Sequence, residues 1–185
     1  MPVIGDDEEE RGRIPGIRAC GDHIWYYAEV GADEVALLAA LMQSLQGPKP
    51  KKKPPIFLHV NSLGGSLYDG LAALATVRAS KRTIYTVVEG AVASAATFLT
   101  IGARRRLMAR EGRMLVHQAR HSLEDTTSRE FADEARNVRE LDRAMVDAYT
   151  TYTAMSKRKA RYWLNRERWL TAAKCLELGL VDEVI

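Results

Sequence analysis

Val87-Val88-Glu89-Gly90-Ala91-Val92-Ala93-Ser94-Ala95-Ala96-Thr97-Phe98-Leu99 begins as an apolar strand, breaks at a glycine and resumes as a small-residue, helix-favouring run that opens on a hydroxyl. A serine at such a junction sits beside free backbone N–H groups, where developing negative charge is stabilised. That setting suits a nucleophile. It also suits an N-capping serine packed among alanines, and taken by itself the stretch favours the cap. Neighbouring segments have to decide.

Upstream, Ile24 to Val30 has strand character, and Asp33 introduces an amphipathic helix through Leu45 with Val35, Leu38, Leu41, Met42 and Leu45 on one face. Lys49 to Lys53, set among Pro48, Pro50, Pro54 and Pro55, reads as an extended, solvated connector. Ile56 to Val60 is a short buried strand, Ser62-Leu63-Gly64-Gly65-Ser66 a turn, and Leu67 to about Ala79 a helix, after which Thr83 to Val88 gives the next strand. This alternation predicts a mainly parallel sheet with right-handed crossovers, whose sites form beyond the carboxyl ends of strands. The Gly64-Gly65 turn and Ser94 both lie at such ends. Paired glycines let a backbone approach a ligand closely, although a tight turn needing positive φ explains them as well. No Gly-x-x-x-x-Gly-Lys-Ser/Thr phosphate loop occurs.

Downstream, Arg113 to Val116 is an apolar strand with His117 at its end, while His23, His59 and His121 read as surface or packing residues. A polar linker, Ala119 to Ser128, precedes a long helix to about Met155. Its apolar stripe is Phe131, Ala135, Val138, Leu141, Met145, Tyr149 and Tyr152, and this stripe needs a cover, for which a copy of the same chain is the obvious candidate. Lys157 to Leu164 forms a short helix. Thr171 then caps Ala172 to Leu178, Gly179 stops that helix, and Val181 to Ile185 closes as a strand. Glu167, between two arginines, reads locally as a surface ion-pair partner.

With 185 residues, 46% of them apolar, the chain suits one domain over residues 17–185 behind a flexible segment at 1–16. Cys20 and Cys175 are far apart and in no CxxC spacing, so no disulfide framework, zinc site or other metal is expected, and a reducing cytoplasm is. No apolar run is long enough to cross a bilayer, and Asp7 to Glu10 followed by Arg11 and Arg13 is unlike a secretory signal. The net charge of +3 is divided among local clusters at Lys49 to Lys53, Arg104 to Arg106 and Lys157 to Arg161, so nucleic-acid and membrane partners are not expected.

Together, from about Ile24 to Ile185, the ordered segments Asn61-Ser62-Leu63-Gly64-Gly65-Ser66, Gly90-Ala91-Val92-Ala93-Ser94-Ala95, Met114-Leu115-Val116-His117-Gln118 and Arg166-Glu167-Arg168-Trp169-Leu170-Thr171-Ala172, leading to Gly179-Leu180-Val181-Asp182, resemble ClpP, the proteolytic subunit family of Clp protease. The resemblance implies an α/β fold of the ClpP/crotonase type, a superhelix of repeated β-β-α units with a projecting handle at about 119–158. It also implies a serine endopeptidase with no cofactor. Ser94 matches the nucleophile and His117 the general base, Glu167 falls where the family has an aspartate, and the N–H groups of Gly65 and Ala95 match the oxyanion hole. A hydroxyl needs a base to take its proton, and the base needs an acceptor to fix its tautomer.

The family assembles heptameric rings, single or stacked face to face, and a separate AAA+ unfoldase feeds it unfolded protein; small peptides need no such delivery. Leu63 stands for the family's usual proline and Ala95 for a common methionine. Ala119-Arg120-His121 replaces proline and glycines, and Asn165 a frequent acid. The rival readings are a phage-type ClpP-like protease of capsid maturation, a crotonase-like acyl-CoA enzyme, and a catalytically silent ring subunit.

Overall fold

The computed structural model of the chain describes residues 16–46, 54–120 and 126–185. The Lys49 to Lys53 cluster, His121 and residues 1–15 lie outside the described residues.

One sheet organises the molecule. A short antiparallel hairpin, β1 (Ile17–Cys20) and β2 (His23–Tyr26), continues in parallel through β3 (Ile56–Ser62), β4 (Ile84–Ala93), β5 (Arg105–Met108) and β8 (Glu183–Val184). Alternate side chains of β3, Ile56, Leu58 and Val60, are fully buried. They meet α1 (Ala32–Gln46) and α2 (Leu67–Ala79), whose buried faces carry Leu38 and Met42, and Ala73 and Val77. Apolar residues at helical and strand periods thus meet in one core. The predicted span of α2 is the observed one, closed at its start by Ser66, whose hydroxyl accepts from the Asp69 N–H.

The expected break at Gly90 does not occur. β4 runs on to Ala93, and its register against β3 shifts between the pairs Val60–Val88 and Ser62–Val92. Asn61 fills the irregularity: its side-chain oxygen accepts the Ala91 N–H at 2.9 Å and lies where a Cβ on Gly90 would come within 2.6 Å of it. Beyond that bulge β4 keeps one pair with β3, Ser62–Val92, leaves β5, and pairs in parallel with β6 (Arg113–Leu115), which in turn pairs antiparallel with β7 (Trp169–Thr171).

The long helix α4 (Ser128–Tyr152) opens on a capping box, with Thr127 and Glu130 each satisfying the other's backbone or side chain. Its last turns are buried through Met145, Val146, Ala148 and Tyr149, but Phe131, at the other end of the same stripe, is 62% exposed. The stripe is therefore covered at one end only. α5 (Lys157–Leu164) and α6 (Ala172–Glu177, capped by Thr171) complete the chain, and Gly179 at φ +67° ends α6. In the basic cluster at 104–106, Arg105 pairs with Glu183, and Arg106 grips Asp182 through Nε at 3.0 Å while donating to the Tyr152 carbonyl at 2.6 Å. These arginines bind the chain's end to its centre.

Candidate active site

The site is built where β4 and β6 end. Both strands point the same way, and the register Ala93–Leu115 brings Ser94 and His117 out at one edge of the sheet. β3 supplies the roof. Its turn holds Gly64 at φ +107° and Gly65 at φ +153°, and Gly64 lies so close over the end of β4 that an added Cβ would stand 2.6 Å from the Ser94 Cβ. Only glycine fits both the conformation and the space. Gly65 is fixed from the other side by a bridge to Val30: the Val30 N–H donates to the Gly64 carbonyl and the Ser66 N–H to the Val30 carbonyl, both at 2.8 Å. Among the described residues the Gly65 N–H meets no acceptor.

Ser94 has φ +53°, a left-handed backbone that costs a non-glycine residue about 1–3 kcal/mol. The hydroxyl caps no helix: the 3-10 turn Ser94–Ala96 and the following α3 (Thr97–Ile101) have no side-chain cap. Ser94 is therefore not an N-cap. What holds the turn is a chain from α4. The Thr97 hydroxyl donates to the Ser94 carbonyl at 2.7 Å, so the proton between Thr97 and the buried Tyr149 hydroxyl, 2.6 Å apart, comes from Tyr149. Tyr149, part of the apolar stripe, thus carries a polar role that helical spacing does not reveal. Burial holds its phenol well above the usual range, and the bond to Thr97 works against that rise. Thr97→Val strands the Tyr149 hydroxyl in the core, and we expect a loss of about 1–3 kcal/mol in unfolding free energy by urea titration.

His117 and Glu167 lie just beyond the ends of one strand pair, and each is hydrogen-bonded elsewhere. The antiparallel pairs of β6 and β7 run Arg113–Thr171, Met114–Leu170, Leu115–Trp169. That pairing ends at Leu115–Trp169, two residues short of His117 on one strand and of Glu167 on the other. Glu167 also has φ +47°, and it and Ser94 are the two non-glycine residues with positive φ among the described residues. Its carboxylate nevertheless pairs with Arg120, and the His117 Nδ1–H donates to the Gln118 carbonyl at 2.6 Å. Because a carbonyl can only accept, this bond leaves Nε2 of the neutral ring as its basic nitrogen. Among the described residues no hydrogen bond joins Ser94 to His117 or His117 to Glu167.

Ser94, Ala95, Gly65 and His117 line one cleft of about 310 Å³, whose apolar wall includes Leu67, Val138, Leu141 and Met145. Glu167 is outside it. Arg120, the partner of Glu167, is inside it, and no local sequence signal could have found a pair 47 residues apart. Among the described residues no group of three or more His, Cys, Asp or Glu side chains is arranged to hold a metal. Burial pushes the Cys175 thiol up to about 12, which leaves it protonated and unreactive. His23 and His59, expected as surface or packing residues, stack among Trp25 and Phe57 and also form a hydrogen-bonded chain with Glu89 and Tyr27, through contacts of 2.8 Å between the rings and 2.7 Å from His59 to Glu89. None of these four lines the cleft.

The family model described as Clp protease matches residues 20–185. The chain is 32% identical over 170 residues to ATP-dependent Clp protease proteolytic subunit 2 of Prochlorococcus marinus, an alignment that spans 89% of this chain and 82% of that protein. It is 27% identical to proteolytic subunit 1 of Streptomyces coelicolor, spanning 91% and 76%. A solved structure of a ClpP1 mutant from Listeria monocytogenes superposes with TM-score 0.76 over 86% of this chain and 88% of that one, at 22% identity, which establishes a shared fold.

Proposed function

The chain belongs to the ClpP family of Clp protease subunits, and from that premise we propose that it is a serine endopeptidase that cleaves peptide bonds through an acyl-enzyme on Ser94. The observation that carries this is a strained, uncapped serine at the end of β4, sharing a cleft with His117 beneath the Gly64–Gly65 turn. His117 Nε2 takes the Ser94 proton as Oγ attacks the carbonyl, and the oxyanion that forms faces the N–H groups of Gly65 and Ala95. The imidazolium then gives its proton to the leaving amine. Water, deprotonated by the same Nε2, releases the acid. Glu167, just beyond the strand that pairs with the one carrying His117, supplies the charge that stabilises the imidazolium once it leaves Arg120.

Assembly belongs to the same proposal. The uncovered end of the α4 stripe, with Phe131 at its tip, favours packing on another copy, in heptameric rings that enclose the clefts. A separate AAA+ unfoldase would deliver folded substrates inside the cytoplasm. A silent ring subunit is the one rival that an observation favours, since the three side chains are not hydrogen-bonded to one another as they stand.

Hydrolysis of a fluorogenic peptide by the purified protein separates these readings. Turnover is expected from the wild type, and its absence in fully assembled protein supports the silent subunit. Glu167→Gln keeps the size and removes the charge, so we expect kcat to fall by about 10²- to 10⁴-fold. Sedimentation should show assembly unchanged. Unaltered turnover removes Glu167 from the mechanism.

A further inference from the structure

Arg120 stands where two features of the site meet. Its guanidinium pairs with Glu167, and the same residue lines the cleft of Ser94 and His117. The backbone that carries it is held from behind, by Gln118 N–H on the Leu164 carbonyl at 3.1 Å and Ala119 N–H on the Asp142 carboxylate at 3.0 Å. Apart from His117, Arg120 is the one ionisable cation among the cleft's lining residues; the other polar side chains there, Ser66, Tyr68, Ser94 and Gln118, are uncharged. Its pair with Glu167 is open to water, with 70% of the Arg120 side chain and 45% of the Glu167 side chain exposed. An exposed ion pair is weakly held and exchanges readily with a competing carboxylate.

We propose that Arg120 is a specificity-determining residue that recognises a carboxylate on the substrate peptide, and that this carboxylate displaces Glu167 from the guanidinium and frees it to face His117. The inference rests on the peptidase reading above. No covalent bond changes in this step: one ion pair replaces another, and the His117 Nδ1–H keeps its proton while its acceptor changes from the Gln118 carbonyl to Glu167. A neutral peptide leaves Glu167 on Arg120, and its hydrolysis proceeds with the carbonyl alone behind the imidazole. Acidic peptides therefore gain in kcat as well as in KM. The carboxylate can come from an aspartate or glutamate side chain or from a free C-terminus, since the guanidinium fork fits each alike.

The test uses internally quenched peptides of one sequence, with glutamate or glutamine placed in turn at each position around the cleaved bond and the C-terminus amidated. A further arm carries glutamine throughout and a free C-terminus. For the wild type we expect the best carboxylate-bearing peptide to exceed its neutral counterpart by about 10²-fold or more in kcat/KM, because the neutral peptide leaves Glu167 away from His117. Arg120→Gln should bring that ratio to one, and Arg120→Glu should turn the preference towards lysine. Gain in the glutamate arm identifies a side chain as the source, and gain only in the free-terminus arm identifies the C-terminus. No gain in either arm, or a gain that survives Arg120→Gln, overturns the inference. If the amidated neutral peptide is cleaved in a Ser94-dependent way, such a failure leaves the peptidase reading standing. If the wild type cleaves no peptide at all, both fall.

Discussion

Ser94→Ala is expected to lower peptide turnover by a factor of about 10³ or more, with no loss of thermal stability. The two halves of this prediction come from the same observation. The Ser94 hydroxyl caps no helix, and the turn is held by the Ser94 carbonyl through Thr97 and Tyr149, which alanine preserves. A serine kept for structure would behave in the opposite way, costing stability when removed and leaving hydrolysis untouched. Alanine at φ +53° adds no conformational strain beyond what serine already bears, because both carry a Cβ. Melting temperature and steady-state turnover, measured on one preparation, read both halves.

His117→Ala should remove nearly as much, about 10³- to 10⁴-fold in kcat, and the double variant with Ser94→Ala should be scarcely worse than either alone. Groups that act as one unit in a single proton transfer cannot lose that transfer twice. The loss should fall on kcat and leave KM near its wild-type value, because the apolar wall of the cleft, Leu67, Val138, Leu141 and Met145, is untouched. Additive losses would mean that the two residues serve separate purposes, and a change confined to KM would make His117 a binding group.

The crossover units of the fold were legible because their signals are strong and local. The α2 and α5 spans, Leu67–Ala79 and Lys157–Leu164, are observed where the sequence places them, each opened by a capping serine, Ser66 and Ser156. β1, β5 and β7 were not read as strands. Each is three or four residues long, and β5 begins with Arg105-Arg106; such segments become strands only because a neighbouring strand pairs with them. Gly90 misled for a related reason. The signal for a break was real, but Asn61 satisfies the backbone of the bulge from another strand, so the strand continues.

The site divides in the same way. Ser94, His117 and the glycine pair could be singled out because residue type and strand-end position mark them. The pairing of Glu167 with Arg120, and the clamp of Tyr149 on Thr97, are contacts between distant segments that no spacing records. They set the resting arrangement of the site, with Glu167 held on Arg120 and the Ser94 turn held from α4.

The most direct measurement is intact-mass analysis of the protein after exposure to a fluorophosphonate, with the modified peptide then located by fragmentation. One phosphonyl group per chain, on Ser94, absent from Ser94→Ala and strongly slowed in His117→Ala, is the predicted result. Cleavage-competent protein that takes up no label, or takes it on a residue other than Ser94, would contradict the assignment of the nucleophile and the mechanism built on it.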